Sequence, residues 1–168
     1  MDHSELVAVL AKPGKDIVES LTADKAHLLH MTIGIVGEVF ELAEGIANKD
    51  RENIAEEMGD IAFYLRGVYD SMGIERVEPQ PVYYSTLTLM IRVGELLDVV
   101  KKHVIYNKSP NPRILASILF IIEDQLAGLR DLYGISYDEV IAHNIAKLTK
   151  RYGEKYSDAA AIARADKS

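Results

Sequence analysis

Gly37-Glu38-Val39-Phe40-Glu41-Leu42 and, after a short gap, Glu56-Glu57-Met58-Gly59-Asp60-Ile61 decide how this chain folds. Each stretch holds two acids spaced i, i+3: Glu38 with Glu41, and Glu57 with Asp60. That spacing puts each pair on one helix face. The segment between them, Asn48-Lys49-Asp50-Arg51-Glu52, is short and polar. Read as the turn of an antiparallel helix pair, it leaves Glu41 about as far before the turn as Glu57 lies after it. Glu38 and Asp60 match one turn further out. At about 1.5 Å rise per residue the four carboxylates then meet at one level between two helices. Like charges that close repel. They stay ionised together only around a cation, and hard oxygen donors select Mg²⁺ or Mn²⁺.

Outward from these stretches the pattern is helical nearly throughout. Short amphipathic pieces are expected at 4–11, stopped by Pro13-Gly14, and at 15–21. A long helix is expected from Asp24 to Ala47, with Leu28, Leu29, Ile33, Val36, Phe40, Ala43 and Ala47 as its apolar positions. The next runs over 51–71, with Ile54, Met58, Ile61, Leu65 and Val68 on one stripe. Phe40, Phe63 and Tyr64 are expected in the core. Glu78-Pro79-Gln80-Pro81 reads as a linker, followed by helices at 84–106 and 112–133 with Pro110 and Pro112 between them. Ser136 and Glu139 fit a capping box that starts a last long helix, ended by Gly153. A further short helix is expected between Ser157 and Lys167.

The chain also repeats itself. Gly37-Glu38-Val39-Phe40-Glu41-Leu42 is similar to Gly94-Glu95-Leu96-Leu97-Asp98-Val99, and Asp70-Ser71-Met72-Gly73-Ile74 to Asp131-Leu132-Tyr133-Gly134-Ile135. The offset grows between these anchors, so the second copy carries extra residues around Ile105-Tyr106-Asn107-Lys108. The fold class expected is all-α: an antiparallel bundle of two similar helix hairpins, 24–74 and 84–135, with added N- and C-terminal helices, the last segment being 136–168. All of this belongs to one domain, 1–168. The second copy keeps Glu95 and Asp98 but has Ile118 and Ile121 where the first has Glu57 and Asp60. It carries Lys101-Lys102-His103 instead, so one half suits metal and the other phosphate.

Composition narrows the function. The absence of cysteine excludes a thiol nucleophile and a zinc–thiolate site. A net charge of −7 argues against polymeric nucleic acid or an anionic membrane as partner. The N-terminus Met-Asp-His-Ser-Glu lacks a basic and then apolar run, and no apolar stretch reads as long enough to span a bilayer, so a cytoplasmic location is expected.

The two acid pairs resemble the signature of the MazG-type, all-α nucleoside triphosphate pyrophosphohydrolase superfamily, which also contains the dimeric dUTPases. That signature is Glu-x-x-Glu, a gap, then Glu-x-x-Asp. The flanks agree, with Gly34-Ile35-Val36-Gly37 before the first pair and Ile61-Ala62-Phe63-Tyr64-Leu65 after the second. Asn144-Ile145-Ala146-Lys147-Leu148-Thr149-Lys150-Arg151-Tyr152 is similar to the family's closing Asn-x-x-Lys segment. Leu28-Leu29-His30 and the tail from Tyr156 to Lys167 look most like bacteriophage versions, which would work in a host cytoplasm. The duplication is a departure, since the usual member carries acids and basic segment in one copy.

The resemblance implies Mg²⁺-dependent hydrolysis of a nucleoside or deoxynucleoside triphosphate at the α-phosphorus, giving the monophosphate and pyrophosphate. Mn²⁺ would substitute. It implies Glu38, Glu41, Glu57 and Asp60 as metal ligands, with Glu56 or one of those four orienting water. Lys101, Lys102, Lys108, Lys147 and Arg151 are candidates for phosphate, and Tyr106, Asn107 and Asn144 for sugar or base. A homodimer is expected. The alternative function is a non-catalytic nucleotide-binding regulator. A ferritin-like oxidase is disfavoured because no Glu-x-x-His occurs.

Overall fold

A computed structural model describes residues 1–164 as eight helices, with no strand among them. They are α1 (His3–Leu10), α2 (Gly14–Ser20), α3 (Ala23–Asn48), α4 (Arg51–Met72), α5 (Thr86–Tyr106), α6 (Pro112–Tyr133), α7 (Tyr137–Tyr152) and α8 (Asp158–Ala163). The expected C-terminal helix is thus present but short, and the part of that expectation at 165–167 lies outside the described residues.

The two hairpins, α3–α4 and α5–α6, are stopped and started by the same devices. Hydroxyl side chains of Thr22 and Ser85 cap α3 and α5, and Asp50 and Asn111 cap α4 and α6, each accepting from backbone N–H groups. At the other ends, α3 and α5 close on left-handed residues, Lys49 and Asn107, and α4 and α6 on left-handed Gly73 and Gly134. The first hairpin turns over Lys49 and Asp50 alone, whereas the second needs residues 107–111. This loop is where the extra residues of the second copy fall.

The α3 helix is central. It packs on α4 and α5; α6 closes onto α5, and α7 lies on α4. Ile35, Leu42, Ile54, Ile61, Leu65, Leu89, Leu96, Leu119 and Ile122 are fully buried in one continuous core. Each contributes about 1.5–3 kcal/mol by leaving water. The α4 stripe is as expected. The α3 stripe is not: its buried positions are Leu28, Met31, Thr32, Ile35, Val39, Leu42 and Gly45. Ile33 and Phe40 are 54% and 60% exposed, and Phe63 on α4 is 47% exposed, so neither phenylalanine is a core residue. The cause is that α3 must face two neighbours, α4 and α5, and its apolar residues run nearly all round. A helix of that kind gives a weak phase signal.

That apolarity has a second consequence. By length and composition alone, α3 is a helix that could cross a membrane, contrary to the reading of its sequence. In the bundle only part of that apolar surface is buried against α4 and α5, while Ile33 and Phe40 stay exposed.

The segment between the hairpins is a linker by composition but not loosely held. Arg76 makes two hydrogen bonds to buried Glu123, at 2.7 and 3.0 Å. The backbone N–H groups of Gln80 and Ser85 donate to Asp124 and Gln125, each at 2.8 Å. The Val82 carbonyl lies over Gly128, where a Cβ would come within 1.9 Å of it. The linker is therefore tied along α6, and only glycine at 128 allows that approach.

Candidate metal centre and active site

The turn at Lys49 and Asp50 sets the register of α3 against α4, and Gly45 makes the close approach possible. A Cβ there would meet the Asn53 side chain at 2.9 Å. In this register Glu38, Glu41 and Glu57 each offer a carboxylate oxygen, all lying within 4.8 Å of one another. Glu57 is buried, Glu38 half-buried and Glu41 exposed, so the cluster opens at one side. Glu38 and Glu57 share a hydrogen bond. Burial pushes the Glu57 carboxyl up to about 8, helped by that bond and by the charges of Glu38, Glu41 and Asp60. Burial also raises Glu38. Without a cation the cluster therefore holds a proton at neutral pH. Three carboxylates converging on one point, one of them buried, fit a hard divalent cation.

Asp60 sits at the edge of this group and is held from α7. Its Oδ1 accepts from Asn144 Nδ2 at 2.7 Å, and its Oδ2 accepts from Lys147 Nζ. Lys147 also donates to Glu56 at 3.1 Å, and its side chain is only 7% exposed. A buried ammonium between two carboxylates offsets part of the negative charge and fixes both acids. Gly59 makes this docking possible. A Cβ there would lie 2.9 Å from Asn144 Cβ and 3.3 Å from the Val140 carbonyl. Gly34 does the same for Tyr64, whose ring would be struck at 2.4 Å by a Cβ at 34. The Tyr64 hydroxyl is raised by burial and then by Glu38 and Asp60, and Tyr152 and Arg151 also act on it. Tyr64 thus packs against the core, as expected, and also feels the charges of Glu38 and Asp60, which its sequence context did not suggest. The Gly34–Tyr64 pairing is the one signal that could have found it.

The Asn-x-x-Lys segment therefore comes to the acids. The second-copy basic segment goes elsewhere. Lys101 pairs with Asp98 at 3.2 Å, and Lys102 pairs with the same carboxylate. Asn107 accepts from Lys25, and Tyr106 lies 5.8 Å from the Lys12 ammonium. Lys108 is exposed just past the end of α5. Arg151 stacks over Tyr152 at the C-terminal end of α7. Ser136 caps α7 as expected, but the Glu139 carboxylate is engaged by Arg51 at 3.0 Å across the fold.

No curated protein and no solved structure matches this chain. The family model of the MazG nucleotide pyrophosphohydrolase domain does match, over residues 27–71, less than half of the chain. That stretch is most of α3 and nearly all of α4, and it contains every acid of the cluster. With this match on the hairpin that carries the carboxylates, and with an all-helical bundle around it, the chain is consistent with a member of the MazG-type superfamily.

Proposed function

We propose that this protein hydrolyses a nucleoside or deoxynucleoside triphosphate at the α-phosphorus, releasing the monophosphate and pyrophosphate, in a reaction that needs Mg²⁺ or Mn²⁺. The observation that carries this reading is the convergence of Glu38, Glu41 and Glu57 between α3 and α4. These three carboxylates, with Asp60, would hold the cations. Bound there, divalent cations would neutralise triphosphate oxygens and acidify a water molecule. The protein's own part is positioning. Asn144 and Lys147 fix the Asp60 carboxylate, and Lys147 fixes Glu56. Glu56, next to Glu57 in sequence and held by Lys147, would orient the attacking water and accept its proton. The partly exposed end of α7 offers Arg151 to the phosphates. In-line attack then needs no covalent intermediate on the protein.

Homodimerisation belongs to the same proposal. Ile33 and Phe40 on α3 and Phe63 on α4 are exposed apolar side chains of the kind a second copy would cover. Sedimentation of the purified chain, compared with Phe40→Glu, reads this directly.

The test of the activity is a panel of common ribo- and deoxyribonucleoside triphosphates with Mg²⁺, read as pyrophosphate and monophosphate. Labelled water should place ¹⁸O in the monophosphate. Label found only in inorganic phosphate would mean γ-cleavage and would overturn the proposal.

A further inference from the structure

The second hairpin holds an open cleft of about 830 Å³ between α5 and α6, lined by Arg92, Glu95, Asp98, Arg113, Ile114 and Ile118 among others. It lies where the first hairpin has its acid cluster, because Glu95 and Asp98 occupy the places of Glu38 and Glu41. The facing helix has changed its chemistry. Where α4 has Glu52, Glu56, Glu57 and Asp60, α6 has Arg113, Ser117, Ile118 and Ile121. On α5, Lys101 replaces Glu44 and Lys102 replaces Gly45.

The charges follow. Glu95 is neutralised by Arg92 at 2.7 Å, and Asp98 by both Lys101 and Lys102. Arg92 and Arg113 line the cleft with Glu95 and Asp98, and Lys101 and Lys102 reach Asp98 from further along α5. The two remaining acids are already paired, so a divalent cation would have to displace cations to use them. An anion meets the opposite situation. Arg113 has no acid partner among the described residues, and the Arg92 Nε, which is buried, has no hydrogen-bond acceptor. Around these guanidinium groups the walls are apolar: Ile91 and Ile114 are about half exposed, at 49% and 56%, and Ile118 forms the floor. Guanidinium groups beside an apolar wall suit a phosphate joined to a flat ring.

We propose that the α5–α6 cleft is a second, metal-independent site for a phosphomonoester carrying a flat ring, the class of the nucleoside monophosphates. Arg113 and Arg92 take the phosphate, and the isoleucines take the ring. The site stands on the geometry of this cleft and does not depend on hydrolysis at the first hairpin.

The experiment is calorimetric titration of AMP, CMP, GMP and UMP, each into the full chain in EDTA. The chain carries Glu57→Gln so that the first hairpin is disabled. At least one monophosphate should bind, and Arg113→Glu should weaken it tenfold or more. Arg113 is exposed, so this variant should fold; circular dichroism checks it. Absence of binding by all four at millimolar concentration overturns the proposal, as does unchanged affinity in Arg113→Glu. Inorganic phosphate should bind at least tenfold more weakly than the best monophosphate, and equal affinity would overturn the assignment to ring-bearing phosphates. Because cations are chelated, failure here leaves the hydrolysis reading untouched, and failure of hydrolysis leaves this one untouched.

Discussion

The two hairpins share the way their helices are capped, yet they differ in turn length and offer opposite chemistry. In α3–α4, acids on both helices face one another and one of them is buried. At the matching positions of α5–α6, acids remain only on α5, each already paired with a cation, and α6 presents Arg113, Ser117, Ile118 and Ile121. The lesson is that a backbone arrangement can outlive its site. Caps and core positions set the hairpin, while a handful of side chains on the inner faces set what it can hold. Four positions on α4 separate a carboxylate cluster from a cleft whose acids face an arginine, a serine and isoleucines.

The largest effect should come from the ligands of the first hairpin. Glu41→Gln or Asp60→Asn should lower hydrolysis more than about a hundredfold, beyond what loss of an outer supporting residue does. The helical content should not change. The equivalent changes in the second hairpin, Glu95→Gln and Asp98→Asn, should leave hydrolysis within about twofold. Equal losses from both pairs would erase the distinction between the hairpins.

Next in size is the contribution of α7, which packs mainly on α4 of the first hairpin. Lys147→Met and Asn144→Ala should each cost about 10–100-fold in metal affinity or turnover. Titration with Mn²⁺ followed by electron paramagnetic resonance separates the two. An unchanged Mn²⁺ affinity together with a raised KM would move Lys147 from holding acids to holding phosphate.

The α7 contribution also marks the limit of what could be read from the residues alone. Helix bounds were legible to within a few residues, because Pro, Gly and capping hydroxyls punctuate the chain. The acid pairs were legible because i, i+3 spacing on two helices with one short turn leaves little choice of register. The partner of Asp60 was not legible. Lys147 lies 87 residues away, and nothing in an Asn-x-x-Lys spacing distinguishes a lysine reaching substrate from one buried between two carboxylates. The same holds for Lys101 and Lys102. Their clustering suggested phosphate, and the spacing alone did not show that both also pair with Asp98, one turn before them. The outward turn of Phe40 was hidden for another reason. Side-chain size says "core", whereas the direction is set by which two helices α3 must meet.

A pH series sharpens the comparison further. With Glu57 raised to about 8, a cation must displace a proton from the cluster. Metal affinity should therefore rise on the order of fiftyfold from pH 6 to pH 8, for one displaced proton. The metal-free protein should show the opposite trend. The folded carboxyl binds its proton more tightly than the unfolded one, which titrates at about 4.3. The stability this contributes is full below that value and is lost as pH rises through about 8. Denaturant titrations in EDTA read the slope, and Glu57→Gln should flatten it. A flat profile in the parent chain would show that the cluster holds no proton.

The smallest effects come from two glycines at matching positions, Gly37 and Gly94. Neither is required by the backbone, since a Cβ at either would meet nothing within 4 Å. Glycine inside a helix costs about 0.5–1 kcal/mol relative to alanine. Gly37→Ala and Gly94→Ala should each raise the melting temperature by about 2 °C. Gly59→Ala is the control of opposite sign, because its Cβ would strike Asn144 at 2.9 Å and lift α7 from α4. The two stabilised variants should then part company. Gly37 precedes Glu38 on α3, so its added methyl group narrows the approach to the acids and should slow hydrolysis a few-fold. Gly94 lines the second cleft, so its methyl group should weaken monophosphate binding in EDTA and leave hydrolysis alone. If both substitutions change both readouts alike, the hairpins act as one site, and the division of labour between them fails.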